Sequence, residues 1–102
     1  MMGEDGAHLV KDLVNLYLNN VAMLINEMRQ GIANQNTDQL QRAAHTLKGN
    51  SSQVGALKLS VLSDELEIVA KAGSIEGAES MLEKINQEFS MVKIDLGAEF
   101  TS

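Results

Sequence analysis

His45 is the residue of this chain whose surroundings could support chemistry, because two cations and a glycine lie at helical spacing around it. Arg42 precedes it by three positions, Lys48 follows it by three and Gly49 follows it by four. On an α-helix, residues three or four positions apart share a face. An anion attached to the imidazole would therefore lie between two positive charges, and a neutral imidazole nitrogen is a competent nucleophile.

The apolar residues around His45 indicate which way it faces. Successive side chains of a helix are rotated by roughly 100°, which puts His45 about 140° from Leu40. One stripe contains Leu40, Ala43, Ala44, Leu47, Ser51 and Val54. A hydrogen-bonded core histidine is the alternative, but it would require the leucines to face solvent. We expect His45 to be exposed, with Gln41 and Ser52 on its side of the helix.

The presence of Gly49 requires an explanation, since a glycine inside a helix lowers helix stability by on the order of 1 kcal/mol relative to alanine. With no side chain one turn after His45, another protein could approach the ring nitrogen without meeting a Cβ atom. We therefore predict a docking surface for a partner protein, formed by Gly49, Ser52 and Gln41.

The segment resembles the histidine-containing phosphotransfer (HPt) domains of multistep two-component signalling. The pattern is His-x-Leu-Lys-Gly with a second glycine six positions later, here His45, Leu47, Lys48, Gly49 and Gly55. A leucine-rich segment follows, in which Glu67 occupies a position where the family commonly has Glu or Gln. The resemblance covers nearly the whole chain.

The resemblance implies that His45 is the phosphoacceptor of a phosphorelay. It would take a phosphoryl group from the aspartyl phosphate of one receiver domain and pass it to the receiver of a response regulator. Lys48 and Arg42 would offset the phosphoryl charge. Glu67 would accept a hydrogen bond from Nδ1 and leave Nε2 for attack. The partner receiver would supply Mg²⁺, and this chain would need no cofactor or metal of its own.

Other functions remain open at this point. The same fold could accept phosphate directly from the ATP-binding domain of a chemotaxis-type kinase, or it could be a structural helical module in which His45 is incidental. Glu67 could be an ordinary solvated glutamate. A metal or haem site between helices is disfavoured, because His8 and His45 offer no helical pairing; a solvated or capping role is expected for His8.

Composition limits the class of protein. A chain of 102 residues makes one domain, which we expect to be ordered over about 7–96 with a flexible tail at 97–102. There is no cysteine, in agreement with a reducing cytoplasm. A net charge of −6 disfavours nucleic acid as a partner, and no stretch approaches the roughly 20 apolar residues of a membrane span.

The sequence contains neither a Walker loop nor a GxGxxG stretch, so we expect a phosphotransfer intermediate without ATP-binding machinery. Whether it stands alone or belongs to a larger hybrid histidine kinase stays open.

Apolar residues at helical spacing and the absence of proline predict an all-α protein. The predicted architecture is an antiparallel four-helix bundle with a short additional N-terminal helix. Asn19 and Asn20, weak helix formers, would separate that helix from the next. The predicted helical segments run over about 7–28, from Asn36 or Thr37 as N-cap to about 53, over about 56–71, and from Ser74 as cap onward. Gly31, Gly55 and Gly73 are the expected breaks.

The predicted core is apolar on one face of each segment. In the first segment it includes Leu9, Val10, Leu13, Val14, Tyr17, Leu18, Val21, Leu24, Ile25 and Met28. In the third it includes Leu59, Leu62, Leu66 and Val69, and in the last Ile75, Ala78, Met81, Leu82, Ile85, Phe89 and Val92.

Overall fold

Four α-helices make up the fold in a computed structural model that describes the backbone of residues 2–101 and the side chains of residues 9–96. They are α1 (Met2–Ala33), α2 (Thr37–Gln53), α3 (Leu57–Lys71) and α4 (Ala78–Thr101). Short turns make consecutive helices antiparallel, and α1 and α4 also pack on each other, which closes a four-helix bundle. The described backbone contains no strand, so the predicted all-α class is confirmed.

The core is built almost entirely from aliphatic side chains. All four helices contribute to one buried cluster: Tyr17, Val21, Ile25, Met28, Ile32, Leu40, Ala43, Ala44, Leu47, Leu59, Leu66, Ala70, Ala78, Leu82, Ile85 and Phe89. Leu62, Ile75, Met81 and Val92 are half-buried against it. In α2, the buried stripe is the predicted one except for Val54, which follows the last helical turn and is 49% exposed.

The predicted break at Asn19 and Asn20 is wrong, and so is the separate short N-terminal helix. A single helix, α1, runs through both asparagines. Asparagine costs well under 1 kcal/mol of helix propensity relative to alanine, roughly 0.7 at most. Tyr17 and Val21, on either side, are both buried in the bundle core. Packing on the same face before and after the asparagines therefore keeps the helix continuous.

The prediction that Leu9, Val10 and Leu13 face the core is also wrong, since these side chains are 59%, 49% and 56% exposed. The reason is helix length. With 32 residues, α1 is about 48 Å long, whereas the 17 residues of α2 span about 26 Å. Because α2 starts beside the end of α1, the first turns of α1 extend past it.

The prediction that Gly31 ends α1 is wrong. The helix continues to Ala33, and Gln35 takes the left-handed conformation with φ of 53°. The Asn36 N–H donates to the Gly31 carbonyl at 2.8 Å and the Gln35 N–H to Ile32 at 3.2 Å, which is a Schellman ending. Gly31 instead allows α1 to pack closely on the start of α2: a Cβ there would lie 3.1 Å from the Leu40 backbone nitrogen, closer than ordinary van der Waals contact.

The start of α2 and the turn into α3 agree with prediction. Asn36 is the N-cap of α2, and its side-chain oxygen accepts from the Gln39 N–H at 3.1 Å. Gly55, with φ of 80°, makes the reversal into α3. This brief connection forces α2 and α3 to pack side by side along their length.

Gly73, with φ of 81°, ends α3 as predicted, but Ser74 does not cap α4. The Ser74 hydroxyl accepts from the Glu76 N–H at 3.2 Å, inside the connecting turn, and α4 starts only at Ala78. The backbone of α4 is helical to Thr101. The flexibility expected for residues 97–102 stays a prediction, and the expectation for His8 lies outside the described side chains.

Candidate functional site

His45 lies on the exposed face of α2, opposite the core stripe. Its side chain is 67% exposed, while Ala44 and Leu47 on the other face are fully buried. The predicted exposure is therefore confirmed. Tyr17 and Ser51 fix the buried side of α2 to α1 through a buried hydrogen bond of 2.9 Å. This face of α2 is held in the core, so the histidine must face outward.

Glu67 of α3 contacts the imidazole. The distance between His45 Nδ1 and Glu67 Oε2 is 2.8 Å. An ionised carboxylate can only accept a hydrogen bond, which assigns the proton of the neutral ring to Nδ1. The other ring nitrogen, Nε2, then has a lone pair and points away from Glu67. This is the arrangement of a positioned nucleophile.

Lys48 lies on the far side of the same carboxylate. Its ammonium nitrogen is 3.1 Å from Glu67 Oε1 and 3.1 Å from Asp64 Oδ1. Glu67 Oε1 is buried and has no well-angled hydrogen bond within the described part of the chain, so the Lys48 contact is electrostatic. Four side chains, His45, Glu67, Lys48 and Asp64, thus form one chain of polar contacts across α2 and α3.

The charges of this chain of contacts support one another. Burial raises the pKa of the Glu67 carboxyl, but contacts with Lys48 and then His45 outweigh burial and hold the pKa below its ordinary value. The hydrogen bond with Asp64, followed by the contact with Glu67, raises the pKa of Lys48. Glu67 is therefore ionised, and Lys48 is charged, throughout the neutral range.

An open hollow borders His45 on the side away from Lys48. It is lined by Gln41, Arg42, His45, Thr46, Glu67 and Lys71. Arg42 donates through Nε to the Asp38 carbonyl at 3.4 Å, within its own helix. The hollow thus combines the imidazole ring of His45 with two positively charged residues, Arg42 and Lys71.

Gly49 and Ser52 extend the exposed face of α2 beyond His45. Both are exposed, and a Cβ atom on Gly49 would meet no atom of the described residues within 4 Å. Gly49 is therefore not required for packing within this chain. The space above it is open to a partner surface.

The structure brings together most of the residues singled out by sequence. Glu67 contacts both His45 and Lys48, and Gln41 and Arg42 line the hollow beside His45. Sequence reasoning missed Asp64 and Lys71. Their spacing of three and four residues from Glu67 on α3 was the available signal, because such positions share a helix face.

The described part of the chain contains no group of three or more His, Cys, Asp or Glu side chains arranged to hold a metal ion. None of its helices is long and apolar enough to cross a membrane.

The Hpt domain family model matches residues 12–94. The crystal structure of histidine-containing phosphotransfer protein B (HptB) from Pseudomonas aeruginosa PAO1 has the same fold, with a TM-score of 0.84 at 24% sequence identity. The match covers 94% of this chain and 87% of that chain. A search of curated proteins gave no match.

Proposed function

Because the chain belongs to the Hpt domain family, whose members are phosphocarriers of phosphorelays, we propose that His45 passes a phosphoryl group between two receiver domains. The donor would be a receiver carrying an aspartyl phosphate, and the acceptor the receiver of a response regulator. The observation that carries this proposal is the 2.8 Å contact between His45 Nδ1 and Glu67 Oε2 on an exposed helix face. It leaves Nε2 accessible to another protein.

Bond changes in the transfer follow from that contact. The Nε2 lone pair attacks phosphorus, an N–P bond forms, and the P–O bond of the acyl phosphate breaks. The electron pair of the broken bond leaves with the donor aspartate, which becomes a carboxylate. The ring becomes positively charged while Nδ1 keeps its proton, and the Glu67 carboxylate stabilises that charge. The carboxylate of the second receiver then attacks phosphorus and returns the electron pair to Nε2.

The remaining requirements of phosphoryl transfer would come from the partner. Transfer needs charge and a metal ion positioned around the phosphoryl group, and Hpt proteins work with receiver domains. We assign the Mg²⁺ to the acidic pocket of the receiver. This chain then contributes the nucleophile and its positioning, without an ATP site, and would act in the cytoplasm.

The receiver would dock over the exposed face of α2. Gly49 allows close approach, and Ser52 and Gln41 lie on either side of His45 along the helix. Met23 of α1 is 62% exposed. The Tyr17–Ser51 hydrogen bond sets the antiparallel register of α1 and α2, which brings Met23 to about the level of His45. An apolar contact would thus border the nucleophile.

The test is incubation with a ³²P-phosphorylated receiver and Mg²⁺. We expect acid-labile, alkali-stable label on the wild-type chain and none on His45→Gln, whose unfolding curve should match the wild type. Label retained in His45→Gln would overturn the assignment of His45. Label obtained only from an ATP-bound kinase domain, and from no receiver, would favour the chemotaxis-type function instead.

A further inference from the structure

Two lysines of the site have different surroundings: Lys48 of α2 contacts Glu67, and Lys71 of α3 borders the hollow beside His45. Resting on the proposed function, we propose that Lys71, together with Arg42, binds the phosphoryl group on His45. Lys48, the lysine of the sequence pattern, instead holds Glu67 in place.

Lys48 is already engaged by two carboxylates. It lies 3.1 Å from Asp64 and 3.1 Å from Glu67, and its side chain is only 35% exposed. The Glu67 oxygen that it contacts is buried and has no other partner among the described residues. Moving Lys48 toward a phosphoryl group would leave that buried oxygen uncompensated, which is costly. Lys48 is therefore suited to remain where it is.

Lys71 is in the opposite situation. It lies one turn after Glu67 in the last turn of α3, is exposed, and makes no ion pair with any described side chain. It borders the hollow that contains His45 and Arg42. A flexible lysine can therefore turn its ammonium group toward an anion at the ring without breaking an existing contact.

Arg42 completes the pair of cations from α2. Its Nε is used by the Asp38 carbonyl at 3.4 Å, and no described carboxylate pairs with its guanidinium. Lys71 and Arg42 thus approach the hollow from different helices. A phosphoryl group on His45 would add about two negative charges at neutral pH, and these two residues are the nearby positive charges that are not already neutralised.

The expected effect is a change in the protonation of the phosphoryl group itself. A positive charge within about 6 to 8 Å across water lowers the pKa of a phosphoryl group by about 0.3 to 0.5. Removing Lys71 should therefore raise the pKa of the phosphohistidine by that amount. The shift should shrink as salt is added, because the site is open to solvent.

The experiment uses phosphoramidate, a small N-phosphorylating donor, so that no receiver is needed. A His8→Gln background leaves His45 as the single histidine, since the chain has two. ³¹P NMR then follows the phosphohistidine as a function of pH in Lys71→Gln, Lys71→Arg and Lys58→Gln. Lys58 is the matched control: it lies on the same helix and pairs with Glu88 at 3.7 Å.

We expect the pKa of the phosphoryl group to rise in Lys71→Gln, to stay at the wild-type value in Lys71→Arg, and to stay there in Lys58→Gln. No rise, or an equal rise in the control, would overturn the proposal. A separate readout tests Lys48: Lys48→Gln should shift the Nδ1 proton resonance of unphosphorylated His45, and Lys71→Gln should not. Failure of receiver transfer in the wild type would refute the proposed function while leaving this titration intact.

Discussion

The two faces of α2 follow different rules. The inner face, with Leu40, Leu47 and Ser51, is fully buried and is fixed by packing and by one hydrogen bond to α1. The outer face, with His45 and Gly49, is exposed and makes few contacts within the chain. The inner face of α2 thus stabilises the fold, and its outer face carries the residues proposed to act in phosphotransfer. Substitutions on the inner face should lower stability, and those on the outer face should affect transfer.

The largest stability effect is expected at Leu47, which is fully buried immediately behind the site. Leu47→Ala should lower the free energy of unfolding by about 2 to 5 kcal/mol through lost burial and a cavity. Phosphotransfer by the folded fraction should persist, because no site residue is removed. Urea unfolding measures the first effect, and Thr46→Ala on the exposed side is the matched control. A loss of transfer in fully folded Leu47→Ala would break the separation of the two faces.

The next effect concerns the buried hydrogen bond between Tyr17 of α1 and Ser51 of α2. Burial raises the pKa of the Tyr17 hydroxyl, more than its bond to Ser51 lowers it, so the group stays neutral and needs a partner. Ser51→Ala should cost about 1 to 3 kcal/mol, since it leaves the Tyr17 hydroxyl unsatisfied. The pair Tyr17→Phe and Ser51→Ala should cost less than Ser51→Ala alone. A double-mutant cycle measured by thermal unfolding checks this, and strictly additive losses would contradict it.

Which of these features could be predicted from sequence depends on how local their causes are. The extent of α2 and α3 and the exposure of His45 were predicted because a 3.6-residue period is a local signal. The continuity of α1 was not predicted, because it depends on the packing of Tyr17 and Val21 in the bundle core. The exposure of Leu9 and Leu13 was not predicted either, because it depends on the unequal lengths of neighbouring helices.

The candidate site shows the same limit. The exposure of His45 was predicted from the periodicity of its own helix, whereas the contact between His45 and Glu67 was expected only from resemblance to a family. The engagement of Lys48 by Asp64 and the position of Lys71 were missed. Both depend on how α3 lies against α2, and that register follows from the turn at Gly55 and from core packing rather than from spacing within one segment.

A substitution at Gly49 should change the stability of the fold and the rate of phosphotransfer in opposite directions. Gly49→Gln should raise the stability of the fold by up to about 1 kcal/mol, since a helix-interior glycine is replaced and no described residue obstructs the new Cβ. The same side chain should obstruct the receiver and slow transfer by about tenfold, equivalent to about 1.4 kcal/mol. Transfer kinetics at increasing receiver concentration test this. An unchanged rate would exclude close approach at Gly49.

The smallest effect on stability should come from Glu67 of α3. Its side chain is mostly buried, like the inner face of α2, yet it contacts His45 on the outer face. Its pKa is lower in the folded protein than the ordinary value of 4.5. Its ionised form therefore stabilises the fold above about pH 4.5, and this contribution is lost as the pH falls through the folded-state pKa. Glu67→Gln should remove that part of the acid destabilisation, at most about 1 kcal/mol.

The free energy of unfolding, measured between about pH 3 and 6, should depend less on pH in Glu67→Gln than in the wild type, whereas exposed Glu65→Gln on the same helix should not show this change. An identical slope in Glu67→Gln and wild type would mean that the contacts with His45 and Lys48 do not stabilise the carboxylate.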